Sequence, residues 1–232
     1  MLRTNDDKLT ASWLDQTWVR FEEDNRDLVL KTRSLLQRVI ADDALHGRLI
    51  NTLSMLEHIG SYKIMTTQHG PDIDQPTLKH VAEESQHAYF MKRQAERTAG
   101  RPLEYVPEDL LAPAAARMYF QRLESALAGT LRRQRSIRAT DLYMSMIVEF
   151  RALWFYRLYQ QALKKTRHPM SLKRVLGEEQ VHLADMANRL EATAELSDAR
   201  ADTFLRYEKT LYDRLLAAMN RNVVELQAPQ SC

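Results

Sequence analysis

Two short runs carry residue types and spacings that could do chemistry. EESQH occupies residues 83–87 and EEQVH occupies 178–182. On a helix, side chains three residues apart share a face. Glu84 with His87, and Glu179 with His182, can therefore each bring a carboxylate oxygen and an imidazole nitrogen to one metal ion. The chain has three Glu-Glu pairs, beginning at 22, 83 and 178, and 7 histidines in 232 residues. Two of three pairs would carry a histidine three residues on by accident with a probability of about 0.003, so accident is the weaker explanation.

The neighbours of these pairs are apolar where a solvated stripe would be polar. Val81, Glu84, His87/Ala88, Met91 and Ala95 form one stripe, and Leu172, Val175, Glu179, His182, Met186 and Leu190 form the other. The carboxylates are thus expected to face a core, where an uncompensated charge costs several kcal/mol and a bound cation removes that cost. The same test finds two further carboxylates. Glu57 follows Leu49 and Leu53 and precedes Gly60 and Ile64; Glu149 lies between Met146 and Leu153, with Tyr156 beyond. The separations Glu57 to Glu84 and Glu149 to Glu179 are 27 and 30 residues, which reads as a repeated helix pair. Four carboxylates and two imidazoles from four helices suit two hard-to-borderline divalent cations such as iron or manganese; zinc usually takes fewer ligands and often sulfur.

The elements that must position these groups are helices. With only 6 glycines and 7 prolines, the chain lacks the turn material of an all-β fold and the glycine-rich turns of a doubly wound α/β fold. An all-α fold remains. Apolar spacing of three and four predicts seven helices, over Leu9–Ala41 with a break near Asn25, Asp43–Thr67, Thr77–Ala99, Ala114–Gln134, Thr140–Thr166, Ser171–Glu195 and Asp198–Gln227. The stretches 69–76 and 100–113 read as connections, and all the prolines are expected in connections or the C-terminal tail. No linker divides the chain, so residues 1–232 are expected to form a single domain with a metal-binding core at about 43–196. Lys and Arg total 33 against 31 Asp and Glu, a formal charge of +2 that names no partner. No apolar stretch serves as a signal peptide or membrane span, so a soluble, cytoplasmic protein without a membrane partner is expected. The single cysteine, Cys232, excludes an internal disulfide, a zinc knuckle and a cysteine-held iron-sulfur cluster.

The order Glu57, Glu84-x-x-His87, Glu149, Glu179-x-x-His182 resembles that of the ferritin-like di-iron carboxylate superfamily, over about residues 43–196. The resemblance implies an antiparallel four-helix bundle with a long crossover and additional N-terminal, crossover and C-terminal helices. It further implies that Glu57 and Glu149 each ligate one metal, that Glu84 and Glu179 bridge the two, and that His87 and His182 cap them. The cofactor would be two iron ions, with manganese or a mixed pair as the alternative. Glu83 and Glu178 stand where the superfamily often orients the histidine of the opposite helix, so Glu83 would accept a hydrogen bond from His182, and Glu178 one from His87. No Cys-x-x-Cys pair points to a rubrerythrin, Met91 stands where a radical-storing tyrosine is usual, and 65 residues separate Glu84 from Glu149. The oxidase/oxygenase branch is therefore favoured, activating dioxygen to oxidise or hydroxylate an unidentified small organic substrate. A ferritin-like ferroxidase or storage protein is the alternative.

Gly60 and Ala152 each follow a ligand glutamate by one turn. They either open a substrate pocket, with Leu153 and Tyr156 among its walls, or let helices pack closely. No nucleotide or flavin motif is present, so electrons must come from a separate ferredoxin or reductase. Two basic clusters, Arg132/Arg133/Arg135/Arg138 and Lys164/Lys165/Arg167/Lys173/Arg174, could meet such a donor, a carrier protein, coenzyme A or RNA, or be solvated faces. The first and last helices, with Trp13, Trp18, Leu28, Leu35, Phe204, Leu211 and Leu215, would cover the bundle or form a homodimer interface. His80, one turn before Glu84, reads first as a helix-end histidine, with a second-shell or ligand role as the alternative.

Overall fold

The computed structural model describes residues 5–67, 73–131 and 137–228, with side chains at 13–67, 73–130 and 139–228. His69, Arg132, Arg133, Arg135, Cys232 and the side chain of Arg138 lie outside the described residues. The described residues are all-α, without a strand: α1 (Asn5–Asp24), α2 (Arg26–Ile40), α3 (Asp43–Thr66), α4 (Gln75–Ala99), α5 (Pro113–Leu131), α6 (Ile137–Lys165), α7 (Lys173–Ala192) and α8 (Asp198–Gln227). A 3-10 turn, Pro107–Asp109, interrupts the connection between α4 and α5. Eight helices stand where seven are predicted because the first prediction divides at Asn25. Two prolines lie inside helices rather than between them. Pro76 and Pro113 occupy first turns, where the missing amide would have no intrahelical acceptor.

Helix ends follow side-chain chemistry at the start and backbone geometry at the finish. Asp42 caps α3 by accepting from the amides of Ala44 and Leu45 at 2.9 and 3.1 Å, and Asp74 caps α4 through Thr77 at 2.8 Å. Gly100 ends α4 in the left-handed region at φ 67°. At α6 and α7 the same task falls to Arg167 (φ 56°) and Ala194 (φ 54°). Around each, the two amides after the helix return to carbonyls in its last turn: Arg167 to Lys164 and His168 to Leu163, Ala194 to Glu191 and Glu195 to Leu190.

Two compact units divide the chain. One comprises Met1–Thr32, Gln121–Gln161 and Ser171–Asp213; the other comprises Arg33–Phe120, Ala162–Met170 and Arg214–Cys232. In the first unit, α1 meets α7, and Phe21, Leu28, Tyr143, Phe150, Tyr159, Leu183 and Phe204 are buried. The break at Asn25 is held by side chains. Asn25 donates through Nδ2 to the Phe21 carbonyl at 2.8 Å and accepts at Oδ1 from Arg151 at 2.7 Å. Arg151 also grips Glu208 with two bonds of 2.9 and 2.7 Å, and its guanidinium lies over the rings of Phe21, Trp154 and Tyr212. This ion pair is buried, so its fork geometry and the extra acceptor are what offset the desolvation of two charges.

In the second unit α3 packs on α4. Gly47 permits a close approach of the two helices, because a Cβ there would sit 2.9 Å from the Ala99 Cβ. The connection after α4 is pinned to a polar strip of α3. Asn51 donates to the carbonyls of Glu104 and Asp109, Thr52 accepts from the Leu111 amide, and Ser54 meets the Tyr105 hydroxyl. Lys92 of α4 reaches Asn51 and the Leu103 carbonyl and covers the Tyr105 ring. Fully buried His46 packs edge-on against His168, with ring centroids 4.7 Å apart.

These placements give two expectations for stability. Gly47→Ala should destabilise the protein by about 1–3 kcal/mol through overpacking. Gly129→Ala and Gly177→Ala, where an added Cβ meets nothing within 4 Å, should stabilise by up to about 1 kcal/mol from helix propensity. Chemical denaturation of the three variants distinguishes the cases, and equal effects at all three would remove Gly47 as a packing constraint. The second expectation concerns pH. Burial first, and the nearby His168 second, push the His46 pKa down to about 4. The imidazole is neutral in the fold and titrates near 6.5 when unfolded, so the unfolded chain binds more protons in between. Stability should fall by about 2 kcal/mol on going from pH 7 to pH 5. His46→Phe should flatten that loss in urea titrations at the two pH values, and an undiminished loss would assign it elsewhere.

Candidate metal centre

The paired-helix reading can be followed residue by residue inside each unit. On α4 the buried positions Glu84, His87, Ala88, Met91 and Ala95 form one face, with Val81 half-buried beside it. On α7 the buried face is Val175, Glu179, His182, Leu183, Met186, Ala187 and Leu190. The stripes expected from sequence are the faces the helices bury. Glu57 on α3 and Glu149 on α6 are buried as well. All six ligand candidates are therefore withdrawn from solvent, with Glu179 only 1% exposed.

In the second unit, Glu57, Glu84 and His87 each offer a ligand atom, and these atoms lie within 4.8 Å of one another. His87 points Nδ1 at Glu84 Oε1, 3.8 Å away. In the first unit, His182 Nδ1 lies 3.2 Å from Glu179 Oε2 and 3.7 Å from Glu149 Oε1. Around one ion held at about 2.1 Å, adjacent ligand atoms are about 3 Å apart and opposite ones about 4.2 Å. Each set, Glu57 with Glu84 and His87 and the two contacts made by His182, is at that scale and could hold a metal ion. Its donor set is two carboxylates and one imidazole, an oxygen-rich set suited to iron or manganese. Two ionised carboxylates and a neutral imidazole would sum to −2, the charge that a divalent cation balances.

Both imidazoles turn Nδ1 toward the carboxylates, so Nε2 is the nitrogen through which a supporting acid would orient them. Glu83 and Glu178, the acids expected in that role, are each held by a basic side chain one turn earlier on the same helix. Lys79 lies 3.3 Å from Glu83 and Arg174 lies 2.8 Å from Glu178. Neither lysine-held nor arginine-held carboxylate is thereby prevented from accepting a further bond, since a carboxylate has about four lone-pair sites. His80 stands closer to Glu84 than its spacing alone required, with Nε2 3.3 Å from Oε1.

Other expectations find plain structural places. A Cβ on Gly60 would lie 3.6 Å from Glu84 Oε2, so α3 runs close beside the carboxylate at this point. Ala152 is half-buried, and Leu153 and Tyr156 are buried in the first unit. Tyr62 and Tyr89 are exposed. Tyr143 is buried and bridges the turn after α7, donating to the Glu195 carbonyl and accepting from the Ser197 amide. Trp13 hydrogen-bonds Asp198, and Leu28, Leu35, Phe204, Leu211 and Leu215 are buried. Lys164, Lys165 and Arg167 are exposed, as are Lys173 and Arg174. No helix among the described residues is long and apolar enough to cross a membrane.

No family profile, curated protein or solved structure matches the chain. The chemistry therefore rests on the triads themselves. The protein prepared with ferrous or manganous ions should retain about two cations per chain, and Glu84→Ala combined with His182→Ala should retain little or none. Metal content after gel filtration, with circular dichroism to verify the helices, checks this. Unchanged metal content in a folded double variant would refute the assignment.

Proposed function

We propose that the two triads act together on a pair of iron ions, with manganese able to replace one or both, and that the protein is an oxidase or oxygenase acting on a small organic substrate. The observation that supports this reading is the twofold occurrence of a buried Glu and Glu-x-x-His triad on paired helices. In it, Glu57 and Glu149 would each be a ligand of one ion, Glu84 and Glu179 would be shared between the two, and His87 and His182 would cap them. α3, α4, α6 and α7 would then be the four helices of a ferritin-like bundle.

Bound reduced iron would supply electrons for activating dioxygen. The chain's own part is to hold the ligands without rearrangement, to keep the imidazole tautomer that presents Nδ1, and to exclude water. Glu83 and Glu178 fix that tautomer by accepting from the opposite histidine, while Lys79 and Arg174 hold the two acids in place. Gly60 and Ala152 leave room beside the ligands, with Leu153 and Tyr156 as apolar walls that orient the substrate. Electrons arrive from a separate ferredoxin or reductase, because the sequence carries no nucleotide or flavin motif.

Anaerobic loading with about two ferrous ions per chain, followed by exposure to air, tests the reading. An oxidase or oxygenase should consume dioxygen, retain the two ions and keep its size on gel filtration. A large assembly that goes on accumulating iron would favour the ferritin-like store instead. Loaded protein that consumes no dioxygen with a chemical reductant present would refute both.

A further inference from the structure

Within one turn of Glu84, one polar residue turned away from solvent lacks a polar counterpart in the other half of the repeat. Lys79, Glu83, Glu84, His87 and Met91 recur 95 residues on as Arg174, Glu178, Glu179, His182 and Met186. His80 does not, since its counterpart is Val175, a buried core residue. His80 and His87 stand one turn before and after Glu84, about 10.5 Å apart along the axis. Both face the same carboxylate oxygen, His80 through Nε2 at 3.3 Å and His87 through Nδ1 at 3.8 Å. His80 is itself largely enclosed, with 12% of its side chain exposed. Glu84 takes part in two separate ligand-range groups, one containing His80 and the other containing His87.

We propose that His80 is a third imidazole ligand, binding through Nε2 the cation on the far side of Glu84 from His87, so that the two cation positions are chemically unequal. The inference rests on the reading that Glu84 bridges two cations. A carboxylate shared in this way has one ion toward each of its flanking imidazoles, and only α4 supplies an imidazole on both sides. The position served by His80 gains a nitrogen donor that its counterpart lacks. Nitrogen favours the borderline cations over manganese, so that position fills first with cobalt, nickel or zinc, while the His87 position accepts the harder ion. The asymmetry gives a route to a mixed metal pair from one protein.

Cobalt(II) added to the metal-free chain tests this without any turnover. Wild-type protein should bind two cobalt ions in two affinity classes. Its proton spectrum should show three exchangeable imidazole N–H signals shifted by the paramagnetic ions, one per histidine ligand. His80→Val, which copies the residue at 175, should lose one signal and weaken the tighter class by on the order of 10- to 100-fold, leaving the other class within twofold. Two bound ions with only two shifted signals in the wild type, or an unchanged affinity in His80→Val, would overturn the role of His80 and leave the paired-cation reading standing. A folded wild-type chain that binds no cobalt would overturn the paired-cation reading as well. The wild-type signal count decides the matter even if the variant does not fold.

Discussion

Every feature of the candidate site follows from burying carboxylates two at a time. A single buried glutamate can be neutralised by a proton or by an arginine, and Glu208 shows the second solution. Arg151 meets both of its oxygens, Asn25 takes a further guanidinium hydrogen, and aromatic faces cover the cation. That arrangement neutralises one charge with one charge. Glu57 with Glu84, and Glu149 with Glu179, pose a different problem, because two carboxylates are buried together in each pair, beside His80 and His87 at the first and His182 at the second. Two negative charges at that separation repel strongly in a low-dielectric interior. A divalent cation at the common point adds an attraction to each carboxylate that outweighs their mutual repulsion, and the spacings around His87 and His182 suit one.

Such a site also dictates the glycine and proline economy of the chain. Ligands three residues apart keep their geometry only while the helix between them is regular, and no glycine or proline falls between Glu84 and His87 or between Glu179 and His182. Gly47 earns its place by the approach of α3 to Ala99, and Gly60 lies beside the Glu84 carboxylate. Scarcity of glycine then shows at the helix ends. α6 and α7 finish through Arg167 and Ala194 in the left-handed region, where a side chain costs roughly 1–2 kcal/mol. The cost is met by the two returning amides at each end, which satisfy carbonyls that would otherwise be unbonded.

What could be read from sequence was whatever depends on neighbours within one helix. The stripes of α4 and α7, the pairing of Glu84 with His87 and Glu179 with His182, and the break at Asn25 are all local patterns of spacing. Glu57 and Glu149 were legible for the same reason, as single acids on otherwise apolar faces. The remainder depends on partners far apart in the chain. Arg151 and Glu208 are 57 residues apart, so each alone reads as a solvated charge. Asn51, Thr52 and Ser54 look like an ordinary polar turn of a helix until the connection at 103–111 brings carbonyls, an amide and a hydroxyl to meet them. His46 and His168 are distant in sequence and carry no shared motif, yet one ring packs on the other. The periodicity that finds a helix face says nothing about which other face it meets.

The internal comparison carries the argument further than either half alone. Where α4 and α7 match at a 95-residue offset, the matches fall on the ligand, on the acid before it, and on the basic residue that holds that acid. Among the positions that differ, Ala88 against Leu183 and Ala95 against Leu190 change size within the core, while His80 against Val175 exchanges an imidazole for an apolar side chain. Core positions have thus been free to change size as each helix adapted to its own neighbours. Lys79 and Arg174 contribute little to helix stability as partly exposed i,i+4 pairs, a few tenths of a kcal/mol at most. Their recurrence in the same register is poorly explained by stability. It is explained if the acid each one holds must keep its position on the helix. The recurrence therefore extends beyond the six candidate ligands to Glu83 and Glu178 and to the basic residues that hold them.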